Sequence, residues 1–243
     1  MIVLMPMAGG DEAFQERGYA YPKPLIEIQG KSLLEHAWQG LKSLPVKQHV
    51  FVIRKEDARS SYLQDVLALL SPESAVVQAD GPTAGAACTA LLAIEHIRRD
   101  HELLIVNGDQ VFNCDLSVAI QDFHDRNLDA GTIAFDSVHP RWSFVRVNAE
   151  GLVSEAAEKR PISRFATAGF YWFRRGGDFV DAAFAMIRKN AHVGGRFYVC
   201  PTFNELILKN ARIGVHKIPR EDYVSLATPQ NVEEYEQRLG QTR

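Results

Sequence analysis

"VLMPMAGGDEAF", residues 3–14, is an apolar run that ends near Pro6 and opens into Ala8-Gly9-Gly10, followed at once by Asp11 and Glu12. A strand passing through small residues into a helix brings backbone N–H groups close together, which suits an anion. The two acids contradict that use, because they stand where phosphate oxygens would have to lie. Whether the segment is the first strand of an α/β sheet therefore depends on what surrounds it.

Outward from this stretch, short β-rich runs recur at Ile2–Met5, His49–Ile53, Ala75–Gln78 and Leu103–Val106. Between them apolar residues recur at three- and four-residue spacing, the mark of helices packed on one face. One stripe is Leu33, Leu34, Ala37, Trp38 and Leu41, a second Tyr62, Leu63, Val66, Leu67 and Leu70, a third Cys88, Leu91, Leu92 and Ile94. Apolar strands alternating with helices predict a mixed, mostly parallel central sheet flanked by helices. The second half reads differently, with strands at Ala130–Phe135, Phe144–Val147 and Thr167–Phe173 and helices at Asp178–Arg188 and Pro201–Lys209. These predict antiparallel additions to one sheet edge. The expected organisation is one domain over 1–243, with a nucleotide-binding half at 1–115 and an acceptor-binding half at 116–243. Ligands of such sheets lie beyond the carboxyl ends of the strands.

With 46% hydrophobic and 23% charged residues the chain has an ordinary globular composition,. A net charge of −3 argues against a nucleic-acid partner, which selects a basic face,. Cys88, Cys114 and Cys200 lie far apart without a C-x-x-C pair, which suits a reducing cytoplasm,. No basic segment precedes the first apolar run and no run approaches the ~18 residues of a membrane span, so neither a signal peptide nor a membrane association is expected,.

Four segments carry candidate chemistry. "LLIVNGDQVF" leaves Asp109 just past an apolar strand, where a carboxylate can hold Mg²⁺ against a polyphosphate or simply make a turn,. "GYAYPKPLIEIQGKSLLEHA" fixes Lys23 between two prolines, a stiff presentation of a cation that suits phosphoryl chemistry; alone it also reads as a surface lysine,. Its "GKS" resembles the end of a Walker A motif, but Leu25 stands where the first glycine belongs, which excludes a P-loop,. "GPTAGAACTALLAIEHI" offers Thr83, Gly85 and Ala86 at a helix start, for a planar base or for close helix–sheet packing,. Gly169 in "FATAGFYWFRRG" leaves room for a close approach, and "EAAEKRP" supplies Glu158 and Lys159,. No H-x-H, H-E-x-x-H or G-x-S-x-G group occurs.

In their order along the chain these segments resemble the sugar-phosphate nucleotidyltransferases (NDP-sugar pyrophosphorylases), notably small bacterial members associated with surface-polysaccharide synthesis. "PMAG", "GYAYPKPLIEIQGKSLLEHA", "PTAGAACTALLA", "VNGDQVF", "EAAEKRPISRFATAGFYWF", "FYVCPTFNELI" and "ATPQNVEEY" carry the likeness over nearly the whole sequence. The resemblance implies a Rossmann-like nucleotide-diphospho-sugar transferase fold and Mg²⁺-dependent transfer of a nucleotidyl group from an NTP to a phosphorylated acceptor, with pyrophosphate released. It implies that Ala8, Gly9, Thr83, Gly85 and Ala86, with Gln78, line the nucleotide and that Lys23 meets the reacting phosphates. Asp109 would bind the metal, and Glu158, Lys159, Gly169 and Asn204 would face the acceptor.

The sequence departs from the resembled pattern twice. The usual G-x-G-x-R-F loop is Gly9-Gly10-Asp11-Glu12-Ala13-Phe14, lacking the second glycine and the arginine. Ala227 stands where many relatives have a second metal-binding aspartate; Asp222 and Glu205 are the candidate substitutes. The expectation for the loop is that Asp11 and Glu12 turn outward or meet phosphate only through Mg²⁺, and that Arg17, one helical turn past Ala13, supplies the phosphate-binding cation. A glycosyltransferase of the related fold is the alternative, though the Asp-x-Asp pair such enzymes use is absent at Asp109-Gln110-Val111. A non-catalytic nucleotide or sugar-phosphate binder is the other.

Overall fold

The computed structural model describes residues 1–241. Its first half builds β1 (Ile2–Pro6), α1 (Glu12–Glu16), β2 (Glu27–Ile28), β3 (Lys31–Ser32), α2 (Leu33–Gln39), β4 (Gln48–Arg54), α3 (Lys55–Ser60), α4 (Leu63–Leu70), β5 (Ala75–Ala79), α5 (Ala86–Leu91) and β6 (Leu103–Val106). The second half builds β7 (Gln110–Phe112), α6 (Leu116–Asp125), β8 (Ala130–Asp136), β9 (Ser143–Val147), β10 (Val153–Glu158), β11 (Phe165–Phe173), α7 (Gly176–Arg188), α8 (Thr202–Ile207), β12 (Ile213–Lys217), β13 (Tyr223–Ser225) and α9 (Pro229–Gln241).

One sheet runs through both halves in the order β10-β9-β11-β6-β1-β4-β5, with β8 also on β11 and β12 on β8. Strands β6, β1, β4 and β5 pair in parallel, as their uninterrupted apolar runs predict,. Antiparallel pairing begins where β11 meets β6 and continues through β9 and β10 to the edge. This is the predicted α/β architecture with antiparallel additions. One core cluster (Val3, Met5, Phe51, Leu104, Trp172) and another (Leu4, Val52, Ile105, Phe173) draw on alternate residues of the same strands, so they occupy opposite faces of the sheet,.

Two helical stripes need correction. Tyr62 is not part of its stripe: it sits at φ 53° ahead of α4 and is 69% exposed, while Leu63 and Leu67 are buried. On α5 the buried residues are Ala87, Thr89 and Ala90, whereas Leu92 and Ile94 are exposed. The small residues are required because the Phe197 segment packs directly on this helix start, with Ala87 N–H donating to the Phe197 carbonyl at 3.0 Å. The "GKS" segment has a local explanation. Ser32 caps α2 with Glu35 in a reciprocal capping box, Ser32 N–H donating to Glu35 Oε2 at 2.7 Å,.

Candidate functional site

The carboxyl ends of β1, β4, β5 and β6 open on two adjoining cavities, of about 380 and 960 Å³. The smaller is lined by Lys23, Asp109, Glu158, Lys159 and Gly169, the larger by Ala8, Thr83, Gly85 and Arg54. Gly9 and Ala86 line both, so the opening loop forms part of the rim between them. Lys23, Asp109 and the Gly9 loop therefore meet although the sequence separates them by up to a hundred residues.

Lys23 Nζ donates to Asp109 Oδ2 at 2.8 Å, and both side chains remain about one-fifth exposed to the cavity. Their backbones are fixed independently. Lys23 opens a 3-10 turn (Lys23–Leu25) between Pro22 and the buried Pro24. Asp109 follows β6, and its carbonyl accepts from Leu226 N–H at 2.7 Å, beside β13. A cation and a carboxylate held separately and left accessible can part to meet a polyphosphate without rearranging the fold.

The loop departs from the sequence expectation at Asp11, whereas Glu12 is exposed and lines the larger cavity. Asp11 does not turn outward: it is 5% exposed and receives both terminal nitrogens of Arg54, at 2.7 and 2.8 Å. Arg54 also grips the buried Asp57 through Nε and Nη2, each at 2.8 Å. Burial alone would lower the Arg54 pKa, but the hydrogen bonds from Asp57 and Asp11 raise it overall,. Asp11 Oδ2 further accepts from Lys23 N–H at 3.3 Å, tying the loop to the lysine's backbone. Arg17 does not line either cavity. It is 63% exposed and paired with Glu233 on α9 at 3.0 Å, because α1 is too short to carry it back to the loop.

At the other end Glu158 ends the edge strand β10 and is 8% exposed, its carboxylate accepting from the Ser143 hydroxyl. Burial raises its pKa, against the opposing effects of Ser143 and Lys159. Lys159 follows at φ 54°, its Nζ lying 5.4 Å from the Tyr198 ring centroid. Gly169 sits at φ 62° where β11 shifts register, and a Cβ there would come within 2.4 Å of Asn107 Nδ2. Its carbonyl accepts from Asn107 N–H and Gln110 Nε2, so this glycine is needed to seat the loop bearing Asp109. Gly85, at φ 109°, has the Phe197 carbonyl 2.5 Å from where its Cβ would be.

Two further predicted residues lie outside both linings. Gln78 is exposed and donates to Gln64; on β5 its neighbour Ala79 faces the larger cavity, and alternation turns Gln78 away,. Asn204 is occupied structurally, its amide bonding both N–H and C=O of Ala156 at 2.9 and 2.8 Å. It thereby docks α8 on the edge strand β10.

For Mg²⁺ the available donor is Asp109. Ala227 lines the same cavity one residue past the Leu226 that hydrogen-bonds Asp109, so no second carboxylate comes from that position. Neither substitute reaches it: Glu205 is paired with Lys189 at 2.7 Å, and Asp222 is outside the lining. Among the described residues no group of three His, Cys, Asp or Glu side chains gathers to hold a metal. This donor set fits Mg²⁺ shared with substrate phosphates, which needs only one or two carboxylates. Arg54, Asp57, Ser143 and Arg141 were not singled out from sequence. For the first two the signal was an R-x-x-D at the end of a predicted strand; for Ser143 and Arg141 nothing local marks them.

A family model described as nucleotidyl transferase matches residues 18–189. The UTP–glucose-1-phosphate uridylyltransferase of Haloferax volcanii is 26% identical over 160 residues, which span 63% of this chain and 63% of that protein. The structure of a nucleoside-diphosphate-sugar pyrophosphorylase from Vibrio cholerae superposes with a TM-score of 0.84 at 25% identity, over 98% of this chain and all of the other. A putative glucose-1-phosphate thymidylyltransferase from Bacillus anthracis, solved with sucrose, shares the fold at 17% identity, with a TM-score of 0.73 over 98% of this chain and 93% of the other. Since that family model spans most of the sequence and includes Lys23, Asp109 and Glu158, the chain belongs to the nucleotidyl transferase family.

Proposed function

We propose that this protein transfers a nucleotidyl group from an NTP to a phosphorylated small-molecule acceptor and releases pyrophosphate, as a cytoplasmic step toward a surface-polysaccharide precursor. The observation that supports this reading is the accessible Lys23–Asp109 pair in the smaller of two cavities that adjoin along Gly9 and Ala86. The nucleotide would occupy the larger cavity along Ala8, Gly9, Thr83, Gly85 and Ala86. The acceptor would occupy the smaller, against Glu158, Lys159 and the Gly169 bulge.

An acceptor phosphate oxygen attacks the α-phosphorus, and the bond from that phosphorus to the bridging oxygen of pyrophosphate breaks. Lys23 places its ammonium on the oxygens that gain charge, where it acts more strongly than in water. Asp109 would hold Mg²⁺, which supplies charge neutralisation on the phosphates when bound. Glu158 and Lys159 orient the acceptor, and the Asp11–Arg54–Asp57 clamp keeps the loop still, so positioning contributes much of the rate. No covalent intermediate on a side chain is needed, because the acceptor displaces pyrophosphate directly.

The test is to combine each of four NTPs with a panel of phosphorylated sugars, alcohols and amines and to measure pyrophosphate. Pyrophosphate formed only when both substrates are present supports the reading. Nucleotide binding without pyrophosphate for any pair would overturn it in favour of a binder.

A further inference from the structure

Resting on the reading of the smaller cavity as the acceptor site, we infer that its acceptor carries a second anionic group besides the reacting phosphate, read by Arg141 with Arg220 behind it. Arg141 lies on the loop between β8 and β9, lines the smaller cavity, and stacks 4.3 Å from the Trp142 ring centroid. Arg220 lies 5.9 Å from the same ring and 5.7 Å from Tyr223, its Nη1 donating to the Tyr223 carbonyl at 2.6 Å.

The charges around this wall do not balance. Lys23 is answered by Asp109, and Glu158, which accepts from the Ser143 hydroxyl, by the neighbouring Lys159. Neither Arg141 nor Arg220 forms an ion pair with a carboxylate of the described residues; each rests on aromatic faces and, for Arg220, a carbonyl. Some surface arginines, such as Arg17, Arg99 and Arg164, do hold carboxylates. Burial lowers the Arg220 pKa, the neighbouring Tyr223 opposes this, and the charges of Arg141 and Arg238 lower it further,.

Two guanidiniums flanking one aromatic ring form a stiff platform, and the guanidinium fork matches a carboxylate or phosphate in two parallel hydrogen bonds. The reacting phosphate has Lys23, Lys159 and the Asp109 site to receive it. Arg141 is joined to that group through the backbone, since Trp142 carbonyl accepts from Lys159 N–H at 3.0 Å. The second charge belongs on the Arg141 side of the acceptor, on an acid-bearing phosphate ester such as a phosphorylated sugar acid or hydroxy acid.

Matched probes test this without turnover. Calorimetric titration compares glucose 1-phosphate with glucuronic acid 1-phosphate, and glycerol 3-phosphate with 3-phosphoglycerate; within each pair a carboxylate replaces a hydroxymethyl group. The expected result is at least about tenfold tighter binding of the acidic member in one or both pairs, lost in Arg141→Gln. Because Arg141 is exposed, this variant keeps its fold, checked by an unchanged Tm. Equal affinity within both pairs, no binding of any probe, or a preference that survives Arg141→Gln overturns the inference. A preference with no pyrophosphate formed from any NTP overturns the transfer reaction instead and leaves the acidic ligand standing.

Discussion

Asp109 and Asp11 are both aspartates facing a cation beside the Gly9 loop, yet they are built for opposite ends. Asp109 keeps one partner, Lys23, and one-fifth of its surface. Asp11 is nearly sealed, and its arginine is shared with a second sealed carboxylate, Asp57. A pair with a single partner and open water can exchange it for a substrate. A clamp of two buried acids on one guanidinium cannot, because separating it strands charge where water does not reach. Aspartate paired with a cation thus stays accessible on one side of the loop and forms its anchor on the other.

The strongest way to break this comparison is Arg54→Met. It leaves Asp11 and Asp57 buried without their cation and is expected to cost about 3–5 kcal/mol of stability, seen as a Tm lower by roughly 10 °C. Adding Asp11→Asn and Asp57→Asn should recover part of the loss; a stability unchanged by Arg54→Met would show that the clamp is no anchor. Asp109→Asn should do the reverse. Its kcat/KM is expected to fall at least about a hundredfold, ~2.7 kcal/mol of transition-state stabilisation, while Tm stays within a degree or two. Normal kinetics at limiting Mg²⁺ would remove Asp109 from the mechanism. Lys23→Ala sharpens the contrast with a smaller kinetic loss, about tenfold. Arg17→Ala should matter least. An exposed pair such as Arg17–Glu233 contributes about 0–1 kcal/mol, and NTP affinity measured by titration should not move.

The parallel half was legible in the sequence because its signals are local and repeated. Runs such as Leu103–Val106 are apolar throughout, and Ile2–Pro6 and Gln48–Arg54 extend the predicted strands by only a residue or two at their ends. Lys23 and Asp109 stood out for the same reason, one clamped by prolines and one ending a buried strand. What could not be read is what depends on distant pairing. Asp11 looked repulsive because its partner, Arg54, lies 43 positions away at the end of another strand. Asn204 faces the acceptor by the resemblance alone, and nothing near it in sequence announces the Ala156 backbone that it holds. Arg17 failed on reach, since α1 closes after one turn and points it toward α9. Ser143 and Arg141 carry no motif and matter only through where the β9–β10 hairpin brings them.

That hairpin lies at the open margin of the sheet, with β10 outermost and Glu158 at the end away from its turn, while Asp109 follows a central strand. The two are joined mainly by β11, whose Gly169 carbonyl seats the Asp109 loop. Lengthening or resequencing an outer hairpin disturbs few neighbours, whereas altering β1 or β6 disturbs the whole core. A lineage carrying this architecture can therefore change which compound it activates by editing its periphery, keeping the reaction itself inherited intact.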